Sequence, residues 1–184
     1  MSESPTETSE NPPSNPVGRN WVRWVVYGSL VGILFILVGS ARQMNANSEP
    51  VSRLGVTDGQ LASCPDSPNC VSTQAHDDAH LMAAIPWEDS TEEAMNRLKE
   101  VVQSFPRTHI VTEKEDYLHV EFQSLIFRFV DDVELWVDPD KQVIHFRSAS
   151  RIGYSDLGAN RKRMSAFVTR FNQIDSSKSP PQAT

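Results

Sequence analysis

One uninterrupted apolar run, Trp21 to Ala41, constrains this chain more than any other feature. Its only charge is Arg23, close to one end. At ~1.5 Å of rise per helical residue, a run of this length spans roughly 31 Å, the hydrocarbon thickness of a bilayer. The run therefore predicts a transmembrane helix over residues 21–41, with the folded part on one side. Arg19 and Arg23 precede it and Arg42 and Arg53 follow it, a near tie in flanking positive charge. The free amino terminus tips the balance to N-terminus inside and domain outside, the extracytoplasmic side. Trp21, Trp24 and Tyr27 gather at the first end, as interfacial aromatics do. A cleaved signal is the rival reading: Gly39 and Ala41 have the spacing of a cleavage site, which would leave an exported soluble protein. The polar leader with Glu3, Glu7 and Glu10 fits a retained anchor better. No Cys follows the run closely, which argues against a lipoprotein anchor. Gly28 and Gly32 form a small-xxx-small pair that suits a homodimer, although glycine is common in membrane helices.

The rest of the chain divides around that run. Residues 1–20 are polar and read as a disordered tail, 42–53 as a linker, 54–174 as one globular domain, and 175–184 as a second disordered tail. The net charge is −7. From Leu54 to Asp175 there are 12 Lys and Arg against 20 Asp and Glu, a balance of −8. That argues against nucleic acid as a partner and against broad adhesion to anionic lipid. Arg147 to Arg163 runs against the trend, with five basic residues and one acid.

Within the domain, Leu54 to Trp87 is rich in Gly, Pro, Asp and Ser and reads as an ordered, loop-rich lead-in segment. Ser90-Thr91-Glu92-Glu93 has capping-box spacing. Ala94, Leu98, Val101, Val102 and Phe105 follow at helical intervals until Pro106, which predicts a helix. From Thr108 the period becomes two. Leu118, Val120 and Phe122 alternate with Tyr117, His119 and Glu121. Phe127, Phe129, Val133, Leu135 and Val137 share one parity, continued by Ile144 and Phe146. Asp138-Pro139-Asp140-Lys141 reads as a turn. Leu157, Arg161, Met164, Phe167, Val168, Phe171 and Ile174 fall on one stripe of a last helix, with Asp156 as N-cap. The expected fold is α+β: an N-terminal transmembrane helix, then a two-layer domain in which an antiparallel sheet of about four strands is covered by two helices.

Three stretches are more particular: Cys64 to Ser72 (CPDSPNCVS), Arg128 to Glu134 (RFVDDVE) and Arg147 to Arg161 (RSASRIGYSDLGANR). With Leu54-Gly55-Val56 they resemble an uncharacterised family of bacteria and plants, domain of unknown function 1499. The resemblance covers about Leu54 to Phe171. Ser72-Thr73 stands where that family more often has two serines. The resemblance implies a domain and transfers no activity.

Three constellations are candidate sites. Cys64 and Cys70 are the only cysteines, and in an exported domain they read as a disulfide. The chain-entropy gain from so short a loop is about 2 kcal/mol. With His76 and His80 they also form a Cys-x5-Cys-x5-His-x3-His series of zinc-binding residue types, but the first spacing is wide and oxidation removes thiolates. No metal and no cofactor are expected. The second constellation is the sheet face away from the core. Parity places His119, Glu121, Arg128, Asp132, Glu134 and His145 there, with Arg147. This is either equipment for acid–base chemistry or a solvated face with cross-strand ion pairs. Asp131 has core parity and needs a partner, for which Arg147 or Arg151 is expected. The third is Arg147, Ser148, Ser150 and Arg151 with Asn160 and Arg161 at the start of the last helix, a set suited to an anion. The competing role is internal pairing with the domain's acids.

The expected activity is non-enzymatic binding of an anionic small molecule or a protein partner by a membrane-held domain. The alternatives are a small hydrolase-like acid–base enzyme using His119, Glu121 and His145, and a structural subunit of a membrane complex.

Overall fold

The computed structural model describes residues 17–46, Ser48 and 54–178. The expected tail over residues 1–16, most of the connection after Ala46, and residues 179–184 lie outside that description. Two compact units divide at Gly39 and Ser40. The first holds most of α1 (Val17–Ala46), which extends past both ends of the predicted span. Trp21–Met44 has a mean hydropathy of 2.0 and none of it is buried. Length and composition fit a membrane anchor or a signal sequence. A Cβ at Gly28 or Gly32 would meet nothing within 4 Å.

The second unit is the α+β domain. Its elements are β1 (Cys70–Ser72), β2 (Ile85–Pro86), α2 (Thr91–Gln103), β3 (Thr108–Glu113), β4 (Tyr117–Gln123), β5 (Val130–Asp138), β6 (Val143–Ser150) and α3 (Ala159–Lys178). The sheet is antiparallel in the order β1-β6-β5-β4-β3, with β2 also paired to β6. It has six strands rather than about four. The two extra strands come from the lead-in segment and are three and two residues long, too short for a two-residue period to show in sequence.

Local chemistry accounts for the main elements. The Ser90 hydroxyl accepts from the Glu93 N–H, and the Glu93 carboxylate accepts from the Ser90 N–H at 3.1 Å, so the capping box opens α2. Asp138 holds the β5–β6 turn: its Oδ1 accepts from the N–H groups of Asp140 and Lys141, both at 3.1 Å. Alternation then sorts each strand. Leu118, Val120, Phe122, Val133, Leu135, Val137, Ile144 and Phe146 meet Ala94, Leu98 and Val101 of α2 and Met164, Phe167 and Phe171 of α3 in one buried core.

The last helix starts later than its apolar stripe suggests. Leu157 lies outside α3, with φ 55°, and is 96% exposed. Asp156 still acts at this end, its carboxylate accepting from the N–H groups of Gly158 and Asn160. Phe127 and Phe129 also depart from expectation. They lie in the β4–β5 connection rather than in a strand, so their parity does not carry them into the core. That connection closes on itself: Ser124 N–H donates to the Phe129 carbonyl at 2.9 Å and Phe129 N–H to Ser124 Oγ at 2.8 Å.

The part of the lead-in segment before β1 lies over the other face of the sheet. Val56 and Leu61 pack on Tyr117 and Trp136. Gly59, at φ +70°, comes close enough that a Cβ there would sit 3.8 Å from Trp136 Cη2. Gln74 ties the segment down, accepting from Leu61 N–H at 2.8 Å and donating to the Gly59 carbonyl at 3.0 Å. The sheet is thus covered on both faces, by helices on one and by irregular chain on the other.

Candidate functional site

The face under the lead-in segment carries the side chains that parity assigns to it, Arg128 excepted. His119 pairs in register with Glu134, Glu121 with Asp132, and Glu134 with Arg147. Burial is nearly complete: Asp132 and Glu134 are fully buried, Arg147 is 1% exposed and His119 3%. Charges removed from water in this way must be paired, and most of these are. Glu134 Oε1 accepts from the Tyr117 hydroxyl at 2.9 Å and from the Gly55 N–H at 2.7 Å, and Arg147 Nη1 lies 3.4 Å from Glu134 Oε2. Asp132 takes His119 Nε2 at 2.7 Å and Arg151 Nε at 2.9 Å. Arg151 also bonds Glu121 and the second Asp132 oxygen. Burial works against the Asp132 carboxylate, but the Arg151 and His119 hydrogen bonds outweigh it and hold its pKa down at about 2. Burial and the Glu134 charge push the Tyr117 hydroxyl far above its ordinary value, so it serves as a hydrogen-bond donor.

A second polar cluster sits on the helix-covered face, where α3 begins. Asp131 has core parity as expected, but its partner is Arg163 of α3, not Arg147 or Arg151. Ser148 Oγ donates to Asn160 Oδ1 at 2.6 Å, and Asn160 Nδ2 donates to the Asn69 carbonyl at 2.8 Å and to Ser150 Oγ at 3.0 Å. Arg163 Nη1 closes the set on Asn160 Oδ1 at 2.6 Å. Arg161 instead reaches the carbonyls of Ala79 and Leu81. The six residues proposed for an anion are therefore split. Ser148, Ser150 and Asn160 lie on one face, Arg147 and Arg151 serve the other, and each has protein partners.

Arg128 leaves the polar face altogether. It lies in the exposed β4–β5 connection with φ 58°. His145 stacks on Trp136 with ring centroids 5.4 Å apart, and its Nδ1 meets Thr73 Oγ1 at 3.0 Å. Burial, helped by Lys141, pushes its pKa down. Cys64 is bonded to Cys70, with Cα atoms 5.6 Å apart. His80 has both ring nitrogens engaged, Nδ1 by Asp77 at 2.7 Å and Nε2 by the Ser67 carbonyl at 3.1 Å. Beside this loop a groove of about 390 Å³ runs between Gln60–Cys64 and the stretch Ser72 to Asp77, with Gln74 and His76 on its wall.

The His119–Asp132 pair has the form of an oriented base, but it is covered, and Arg151 occupies the other carboxylate oxygen. Sequence reasoning missed Asn69, Trp136 and Arg163. Alternation by itself shows that Asp131 needs a partner; only α3 packing supplies Arg163.

The fold and these clusters define a small α+β domain with an ionic layer beneath its lead-in segment. A family model described as protein of unknown function, DUF1499, matches residues 60–171. The match covers more than half of the chain, and the protein belongs to that family. No curated protein and no solved structure matches it.

Proposed function

We propose that this protein is a non-enzymatic binding domain held at a membrane by α1, with its folded part on the extracytoplasmic side. The observation that carries this reading is the closure of the ionic face. His119, Asp132, Glu134, Arg147 and Arg151 engage one another beneath the lead-in segment, which leaves the protein better equipped to present a surface than to turn over a substrate. The Cys64–Cys70 bridge supports the oxidising side of the membrane. A small anionic or polar ligand is best received by the groove between Gln60–Cys64 and Ser72–Asp77, which offers amide, hydroxyl and imidazole groups and whose carboxylate, Asp77, is paired with His80.

The test uses the full chain in lipid nanodiscs, titrated with inorganic phosphate and small carboxylates. Thermal unfolding should shift upward, the ligand should be recovered unchanged, and His76→Ala should weaken the shift. Hydrolysis of a simple ester or phosphoester that disappears in a folded His119→Gln variant would overturn the reading in favour of an acid–base enzyme.

A further inference from the structure

We infer that the β4–β5 connection is a membrane-contacting tip, which seats one end of the domain on the lipid surface that α1 enters. The inference rests on α1 being a retained anchor. Leu125 is 69% exposed, Ile126 56% and Phe129 38%. Single exposed apolar residues are ordinary, but a run of them at one hairpin end is a patch that calls for a partner. The run is also ordered. Ser124 and Phe129 close it by two hydrogen bonds, and the rings of Phe127 and Phe129 stack at 5.6 Å. Arg128 stands among these residues, exposed and without an ion-pair partner among the described residues. An apolar tip that carries the exposed Arg128 guanidinium suits the boundary between acyl chains and phosphate headgroups, where such groups bury ~5–10 Å deep.

The occupant is identified by where the chain comes from. Within the unit that begins at Ser40, Arg42 Nε donates to the Ile126 carbonyl at 3.2 Å, and the Ser48 carbonyl accepts from Arg151 Nη1 at 3.4 Å. Arg151 lies at the same end of the sheet, its N–H bonded to the Val130 carbonyl where β5 begins. The chain that follows the apolar span thus reaches the domain at the tip. From Met44 to Leu54 it can extend no further than about 35 Å. A lipid surface is therefore held within reach of the tip at high effective concentration. The segment that leaves β6 at this end adds Tyr154, 76% exposed, and Leu157. The domain's acid excess does not oppose contact here, because Arg128 is the only charged residue from Phe122 to Val130.

The test places a nitroxide label on the full chain reconstituted in vesicles of three parts phosphatidylcholine to one part phosphatidylglycerol. Labelled variants are Leu125→Cys at the tip, Asp140→Cys at the opposite sheet end and Ile33→Cys within the span, prepared without reductant so that Cys64 and Cys70 stay bonded. The inference expects oxygen-favoured, nickel-excluded collision rates at 33, a lipid-side ratio at 125 several-fold above that at 140, and an aqueous ratio at 140. If 33 is in lipid and 125 is aqueous, the anchor stands and the inference falls. If 33 is aqueous, the anchor reading fails and takes the inference with it. A label at 125 that is immobilised but shielded from both reagents means a protein covers the tip. Spin–spin broadening would identify that protein as a second copy, and either result overturns lipid contact. Phe129→Ser in the Leu125→Cys background should return the label toward the aqueous ratio.

Discussion

The helix-covered face of the sheet is filled by side chains that need volume, whereas the opposite face is filled by ions that need particular partners. Leu118, Val133, Leu135 and Phe146 can contact any apolar neighbour of suitable shape, so their stabilisation is spread over many weak contacts. Asp132 and Glu134 are equally buried, yet each depends on a few donors set at hydrogen-bond distance. The same strands therefore carry a face that tolerates change gradually and a face that fails when one member is removed. The ionic face also recruits irregular chain, through the Gly55 N–H that Glu134 accepts. Burial of charge is thus tied to ordering of the start of the lead-in segment, where Val56 and Leu61 pack on Tyr117 and Trp136, while its later residues Val71, Ile85 and Trp87 belong to the helix-side core.

The sharpest way to break this contrast is Arg151→Ala. It leaves Asp132 buried without its main counter-charge, and a loss of about 3–5 kcal/mol is expected in denaturant unfolding. A drop of that size makes internal pairing the main role of Arg151. Little change, together with a lost response to phosphate, would return Arg151 to an external anion. Leu118→Ala on the other face should cost about 2–5 kcal/mol through cavity formation. Its cost should be the same at high and low salt and across neutral and acid pH, which the Arg151→Ala cost should not be.

Acid titration separates the faces by a smaller amount. Asp132 has a folded pKa of about 2 against an ordinary 3.8. Its contribution is present above the ordinary value and is lost as pH falls from about 4 through 2. That contribution is on the order of 2 kcal/mol. Asp132→Asn should flatten this limb, while Leu118→Ala should lower the whole curve without changing its shape. The smallest expected effects are those of two histidines with opposite signs. Burial, helped by Lys141, lowers His145, so the unfolded chain takes its proton more readily and stability declines as pH drops below 6.5. The Asp77 hydrogen bond raises His80, so its contribution is present below 6.5 and fades as pH rises through the raised value. Substituting Gln at position 145 should remove the first slope, and at position 80 the second, in unfolding curves taken between pH 5 and 8.

Much of this architecture could be read from residue order. The capping box placed α2, alternation sorted Leu118 from His119, and the turn at Asp138 joined two neighbouring strands. Where the reading failed, a local rule met a boundary it could not see. Phe127 and Phe129 kept strand parity in sequence although the strand had ended, and Leu157 kept helical spacing before its helix began. β1 and β2 are too short to show any period. The lead-in segment has no period either, so its position over the polar face was not legible.

By itself the sequence determined the elements whose causes are local: an apolar run long enough to cross a bilayer, one capped helix, the alternating strands, and two cysteines close enough to bond. Only tertiary structure decided which charges meet. Asp131 finds Arg163 across 32 positions and Arg151 finds Glu121 across 30, distances over which neither periodicity nor capping carries information. Tertiary structure also turned the outward face into a buried one. Alternation specifies the side of a sheet on which a residue lies, but whether that side meets water depends on what the rest of the chain lays over it.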